Sequence, residues 1–523
     1  MDTSAFSLMD YSALLQPSPM MLLFVLPLLF LMGLFVRSRK KLPYPPGPKG
    51  LPIIGNMNML DQLNHRGLAN LSKIYGGIIH LRLGFLHVVA VSTPELARQV
   101  LQVQDSNFSN RPINDAIKYL TYDQADMAFA HYGPFWRQMR KICVMRVFSR
   151  RRAESWASVR EEVDSMIQTV GSMTGESINV GKYVFAFSMN ITYRAAFGSD
   201  VLDGQEKFVS IIQEFSKLFS IFNLGDFLPF LGWLKPKGLQ QRLADARNSL
   251  DVFIDKIIDE HLAKRKSGVQ SDDAAVDPDM VDGLLDFYSE EPKKNDESDL
   301  QGSITLTREN IKGIIMDVMF GGTETVASLI EWTMAELLKS PEHLKKVQQE
   351  LEDVIGLDRK FEETDLDKLP YFRCAIKEAL RLHPPLPTLL HAAKEDAEVA
   401  GYAIPKGSRV LVNVWQIGRD KDAWDEPDTF NPARFLGEDA PNFKGSNFEF
   451  LPFSSGRRSC PGMQLGLYAL ELAMGHLLHS FKWELPDGMK PSDIDMSDSA
   501  GITTPKAVQL VAVPITRLTC PLS

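Results

Sequence analysis

The stretch FSSGRRSCPG, residues 453–462, holds one of only four cysteines in 523 residues. Cys460 is followed by Pro461, a residue suited to the first position of a helix, and then by an apolar run. Its sulfur would stand at the positive end of a helix dipole, with Arg457 and Arg458 beside it. Each influence lowers a thiol's pKa and favours thiolate, the form that binds metals. Gly456 and Gly462 let backbone come close, as needed where a sulfur meets something large and flat. Two other roles fit such a cysteine. One is a small buried hydrophobe. The other is a nucleophile served by a histidine base, for which no local pattern is present.

Three further constellations carry chemistry or structure. MFGGTETVAS (319–328) puts two glycines, Gly321 and Gly322, in mid-helix, where each costs about 1 kcal/mol relative to alanine. Glu324 and Thr325 add polar groups to an otherwise apolar run; a kinked packing site is the ordinary explanation. IKEALRLHPP places Glu378 and Arg381 three apart on one helical face, where they can pair. A surface pair would be worth about 0.5 kcal/mol or less. WRQMR holds Trp136 and Arg140, and opens a run, 137–152, with seven Lys or Arg and no acid. Such runs are usually solvated faces, but against a net charge of −9 this one forms a local positive face that could steer an acidic partner.

At every fixed position FSSGRRSCPG matches the haem-ligating signature Phe-x-x-Gly-x-Arg-x-Cys-x-Gly, with Phe453, Gly456, Arg458, Cys460 and Gly462. The chain thereby resembles the cytochrome P-450 family. The resemblance implies haem b, with Cys460 as the axial thiolate whose electron density favours O–O cleavage. It implies that Gly321 and Gly322 shape an opening for dioxygen, that Glu324 relays protons, and that Thr325 hydrogen-bonds the bound oxygen. Trp136 and Arg140 fit the family's Trp-x-x-x-Arg, whose arginine pairs with a haem propionate; Arg458 would do the same from the other side. His391 lies close to the position of a further propionate partner. Glu378 and Arg381 fit Glu-x-x-Arg, which locks onto the arginine of a later segment, here Arg434 of PARF, with Ala433 where a glutamate is usual.

The implied activity is a monooxygenase using dioxygen and NADPH-derived electrons. No Gly-x-Gly-x-x-Gly follows a strand, so a separate partner, NADPH–cytochrome P-450 reductase, is implied, docking on the basic face. MFGGTETVASLIEW, LHPPLPTLLHAAKED and the N-terminal hinge are similar to plant microsomal members of the family. They imply a small phenolic phenylpropanoid substrate, hydroxylated on the ring carbon beside the phenol. By the same likeness, segments 110–130, 219–227, 318–320, 386–390 and 503–504 line the pocket. Another plant aromatic such as a flavonoid would fit as well. A haem-thiolate isomerase or dehydratase, or a non-catalytic haem protein, would share Cys460; the Glu324–Thr325 pair speaks against both.

These residues need elements to position them. Residues 11–36 carry no charge and as a helix would reach about 39 Å, enough to span a bilayer. Arg37, Arg39, Lys40 and Lys41 follow, which puts the N-terminus in the lumen of the endoplasmic reticulum and the rest in the cytosol. A cleaved signal peptide would need basic residues before the apolar run and small residues at its end, and neither is present. KLPYPPGPKGLPIIGN reads as a stiff, non-helical spacer. Short strands are expected in GGIIHLRLGFLHVVAVS, AGYAIP and SRVLVNV, and helices over most of 94–262. A helix of about 33 residues runs from a cap at Thr307 to Ser340-Pro341.

The expected fold class is mainly α with small β-sheets: a cytochrome P-450 fold, one catalytic domain behind an N-terminal transmembrane helix. The expected divisions are 1–36 for the lumenal end and anchor, 37–55 for the basic stop and hinge, and 56–523 for the haem domain. The acidic balance, 66 Asp and Glu against 57 Lys and Arg, argues against nucleic acid as a partner. Cys143, Cys374 and Cys520 are too few and scattered for a disulfide framework, and stand as structural thiols.

Overall fold

The computed structural model describes residues 42–522, apart from 149–156, 198–204, 220, 235, 268–278, 290–304 and 500. The apolar N-terminal run, its basic flank Arg37, Arg39, Lys40 and Lys41, and the end of the basic run 137–152 lie outside these residues.

Ten helices organise the molecule. They are α1 (His65–Tyr75), α2 (Pro134–Ile142), α3 (Ala157–Ser172), α4 (Val180–Phe197), α5 (Gln205–Phe219), α6 (Leu239–Ser267), α7 (Arg308–Lys339), α8 (Pro341–Ile355), α9 (Pro370–Leu382) and α10 (Met463–Ser480). The long helix forms as its sequence predicts. Thr307 Oγ1 accepts from Asn310 N (3.2 Å) and Asn310 Oδ1 accepts from Thr307 N (2.9 Å), a reciprocal cap. At the other end Pro341 begins α8. At about 1.5 Å per residue its 32 residues span roughly 48 Å. It is buried nearly all round, so α3, α4, α9 and α10 share one apolar core with its C-terminal half. Its N-terminal half packs with α2, α5 and α6 in a second core.

Strands β1 (Ile78–Leu83), β2 (Leu86–Val91), β4 (Thr388–Ala392) and β7 (Arg409–Asn413) make the main sheet, in the order β1-β2-β7-β4. β1 and β2 form a hairpin, Leu83 facing Leu86 across a turn at Gly84, whose φ is 61°. β2 then pairs in parallel with β7, Val88 beside Arg409. β3 (Ile178–Asn179), β8 (Phe481–Glu484) and β9 (Val511–Thr516) form a second sheet, and β5 (Ala397–Val399) pairs with β6 (Tyr402–Ile404).

One feature differs from the sequence reading. The proline-rich segment is non-helical, but it is no free spacer: it lies docked on the sheets. Pro43 O accepts from Ala403 N (2.8 Å), Pro46 O accepts from His80 N (2.9 Å), and the Tyr44 ring stacks on His80 at 5.0 Å. The Glu378–Arg381 pair is the locked pair that the resemblance implies and not a surface pair, with both side chains fully buried. Arg381 meets the carboxylate through Nε (2.7 Å) and Nη2 (2.8 Å) and donates to the carbonyls of Gly418, Pro427 and Thr429. Arg434 Nε adds a bond to Glu378 Oε1 at 3.1 Å. The triad thus staples the 418–435 loops to α9.

Candidate active site

Between α7 and segment 452–466 lies a largely apolar cavity of about 350 Å³. Val318, Gly321, Thr325 and Leu329 face it from α7, and Phe453, Cys460 and Leu465 from the opposite wall. Cys460 is exposed and lines this cavity. The surrounding protein desolvates its sulfur, and that burial pushes the thiol up. The amides of Gly462 and Met463 at the start of α10, and Arg140, pull the other way without winning. A thiolate here needs a cation against it, and a coordinated metal deprotonates a thiol outright.

The arginines flanking the cysteine behave otherwise than expected. Arg457 turns outward, pairing with Asp105 (2.7 Å) and Tyr132 (2.9 Å). Arg458 is buried and lies 4.4 Å over the Trp136 ring. It donates to Ser109 O (2.6 Å), Met127 O (3.1 Å) and Ala130 O. Trp136 Nε1 donates to Met127 O (3.1 Å) rather than into the cavity. Arg140 donates to Ser459 O (2.7 Å) and lies 5.5 Å over Trp136.

A third guanidinium, Arg111, escaped the sequence reading as an individual residue. It lines the cavity and donates to the carbonyls of Ala128 (3.3 Å) and Leu390. Burial, then a neighbouring guanidinium, pushes Arg458 down to about 9 and Arg111 to about 10. Beside them His391 donates Nδ1–H to Phe108 O (2.8 Å), while its buried Nε2 has no partner. Burial, then Arg111, drives this imidazole down to about 3, so it is neutral. Three cations bonded to backbone and hydroxyl oxygens, an orphaned imidazole nitrogen and a sulfur opposite an apolar wall together complement a flat, metal-centred dianion. Haem b fits that description.

The family model described as "Cytochrome P450" matches residues 45–512. The chain belongs to the cytochrome P450 family. It is 65% identical over 496 residues to "Cytochrome P450 84A1" of Arabidopsis thaliana, covering 94% of this chain and 95% of that one. It is 56% identical to "Cytochrome P450 84A4" of the same plant, covering 96% and 99%. "Flavonoid 3'-monooxygenase CYP75B137" of Crocosmia x crocosmiiflora is 38% identical, covering 92% and 94%. Among solved structures, a zebra fish cytochrome P450 with abiraterone superposes with a TM-score of 0.71 at 25% identity, over 87% of this chain and 99% of that one. The protein is therefore a haem-thiolate monooxygenase, an oxidoreductase.

Within this cytochrome P450, α7 runs unbroken through Gly321 and Gly322. Only Gly321 meets open space; a Cβ on Gly322 would come within 3.0 Å of Thr192 on α4, so that glycine makes room for a helix as well as lining the cavity. Thr325 faces the cavity with its hydroxyl donating to Gly321 O at 2.5 Å. Glu324 faces away, onto a smaller cavity shared with α5, and its carboxylate accepts from Thr503. Gly462 lines the main cavity, but Gly456 does not. At φ 69° Gly456 sits where a Cβ would meet Leu101 O at 2.2 Å, so its close approach is to a neighbouring turn, not to a ligand.

Of the expected lining segments, Arg111, Met127, Ala128, Val318, Leu386 and Leu389 take part. The described residues of 219–227, and residues 503–504, do not line this cavity. Phe227 packs under the Arg409 guanidinium beside the β1–β2 hairpin, and Thr503 turns to Glu324.

Proposed function

We propose that this cytochrome P450 is an endoplasmic reticulum membrane enzyme that hydroxylates a guaiacyl phenylpropanoid at ring position 5. The substrate is ferulate, coniferaldehyde or coniferyl alcohol, and the step belongs to syringyl lignin biosynthesis. The enzyme resembles ferulate 5-hydroxylase, also called coniferaldehyde 5-hydroxylase, in MFGGTETVASLIEW, LHPPLPTLLHAAKED and the proline segment. The observation that carries the chemistry is Cys460 opening onto an apolar cavity opposite Thr325. The apolar lining suits a flat phenolic, and the choice among aromatics rests on the resemblance. A flavonoid substrate is the second reading, favoured by the 38% identity to a flavonoid 3'-monooxygenase.

Cys460 would supply the thiolate that holds the haem iron, and Arg111, Arg140, Arg458 and His391 would hold the propionates, with Trp136 bracing two of the guanidiniums. Bound there, haem supplies the redox chemistry by which one oxygen atom of O₂ enters the substrate and the other leaves as water. Two electrons from NADPH arrive through a reductase docked on the basic face, where Arg137 and Lys141 are exposed. The apolar wall excludes water and orients the ring. Thr325 Oγ1 holds a proton on the oxygen side of the cavity, and Glu324 resupplies it from the smaller cavity.

The test is a product assay. Membranes carrying the protein and a plant reductase receive NADPH, air and the three phenylpropanoids beside a flavonoid panel, with products read by mass and NMR. One oxygen added beside the ring hydroxyl, and lost in Cys460→Ala, is the expected result. Folded protein with a thiolate-type carbon-monoxide spectrum that oxidises only flavonoids, or none of the panel, overturns the lignin assignment.

A further inference from the structure

Two carboxyl groups with no part in that chemistry lie beside the wall of carbonyls that grips the arginines. Asp126 is fully buried, and Asp317 of α7 lines the main cavity. Asp317 Oδ2 accepts from Met127 N (2.8 Å) and Ala128 N (3.0 Å). Asp126 Oδ2 accepts from Phe129 N (3.1 Å), while its Oδ1 has no donor. The two carboxyl groups are neighbours in one buried site, where two bare carboxylates would repel. Asp317, with two amide donors, is the natural carboxylate; Asp126, with an orphaned oxygen, is the natural acid.

We propose that Asp126 and Asp317 share one proton, and that this acid–carboxylate pair is the latch that pins residues 126–130 to α7, so that their carbonyls aim Arg111 and Arg458 at the haem propionates. The inference rests on the haem reading of the cavity, and is independent of the substrate.

Charge balance supports the proton. Arg111, Arg140 and Arg458 face the cavity, His391 is neutral, and so is the Cys143 thiol near Asp317, which burial pushes far up. One net carboxylate against three guanidiniums leaves charge for two propionates; two carboxylates would leave charge for only one. Burial pushes both carboxyl groups up, and the Asp317 charge pushes Asp126 further. A carboxyl raised on folding contributes stability that is full below the ordinary carboxylate range and lost as pH rises through its folded value. The latch is therefore expected to fail on the alkaline side.

The experiment follows haem transfer from the holoprotein to excess apomyoglobin between about pH 6 and 9. Wild type is expected to lose haem slowly at the acid end and faster as pH rises. Asp126→Asn keeps a donor that cannot ionise, so its loss should stay slow and flat with pH. Asp126→Ala should lose haem roughly tenfold faster throughout. An alkaline rise in Asp126→Asn equal to that of wild type overturns the proposal, because a merely structural residue would leave the profile intact. If the variants do not fold, infrared spectra of the wild type decide: a deuterium-sensitive protonated-carboxyl stretch at neutral pH, fading as pH rises, supports the latch, and its absence sinks it. That band in protein that holds no haem would unseat the haem reading and leave the pair standing.

Discussion

Arg458 shows how a residue one turn from the ligand can act through backbone rather than charge. Its fork spans carbonyls of Ser109, Met127 and Ala130, which a lysine's single ammonium cannot bridge. Arg458→Lys is expected to keep the charge yet lower haem content several-fold, read as Soret absorbance per protein. Thr325→Val should leave haem content and the carbon-monoxide spectrum intact while product formed per NADPH consumed falls several-fold; unchanged coupling would remove Thr325 from the proton route. Cys460 was legible in sequence because its whole signature is contiguous. Arg111, Asp126, Asp317 and Thr503 were not, since each is an ordinary residue whose meaning depends on partners far along the chain, such as Met127 on Asp317 or Thr503 on Glu324. The same distance misled the reading of Gly456, whose partner is Leu101.

Among the elements, α7 is specified twice, by apolar residues at helical spacing and by a reciprocal cap. Thr307→Ala removes a side-chain acceptor for Asn310 N and is expected to cost about 1 kcal/mol in denaturant unfolding. Gly456→Ala faces both a left-handed φ of 69° and the Leu101 carbonyl, so it should displace the turn that carries Arg458 and lower haem retention more than Thr307→Ala does. The helices, the β1–β2 hairpin and β7 were readable from periodicity and turn residues. The docking of the proline segment was not, because its contacts are backbone carbonyls that leave no side-chain pattern. Arg381 belongs here too. Truncating it to alanine takes two bonds from the buried Glu378 carboxylate and leaves Arg434 against it, at an expected cost of about 3–5 kcal/mol, and soluble holoprotein should be largely lost.

At the scale of the molecule, α1 is tied to the C-terminal region by one acid. Asp498 accepts from His65 Nε2 (3.2 Å) and Arg66 Nη2 (2.6 Å). Burial pushes its carboxyl up, but the bonds from His65 and Arg66 more than reverse this and hold it well below the usual carboxylate range. A depressed carboxyl contributes stability above its unfolded value, and that contribution is lost as pH falls toward its folded one. Asp498→Asn should therefore melt below wild type at neutral pH, with the gap closing as pH drops below about 4. A gap independent of pH would show that charge is not what joins the two regions.

The parallel pairing of β2 with β7 also sets an order of events during synthesis. Val88 must wait for Arg409, more than 300 residues later, before its strand finds a second neighbour. At about 5–20 residues per second, ribosomes need roughly 15–65 s to deliver it. Throughout that interval the hairpin presents an unpaired apolar edge, a template for misassembly between nascent chains. Cys460 emerges later still. Haem can be captured only by a chain that has passed this segment, so cofactor loading comes after the main sheet can close, and a scarcity of haem would be felt by chains whose sheet is already paired rather than by those still exposing its edge.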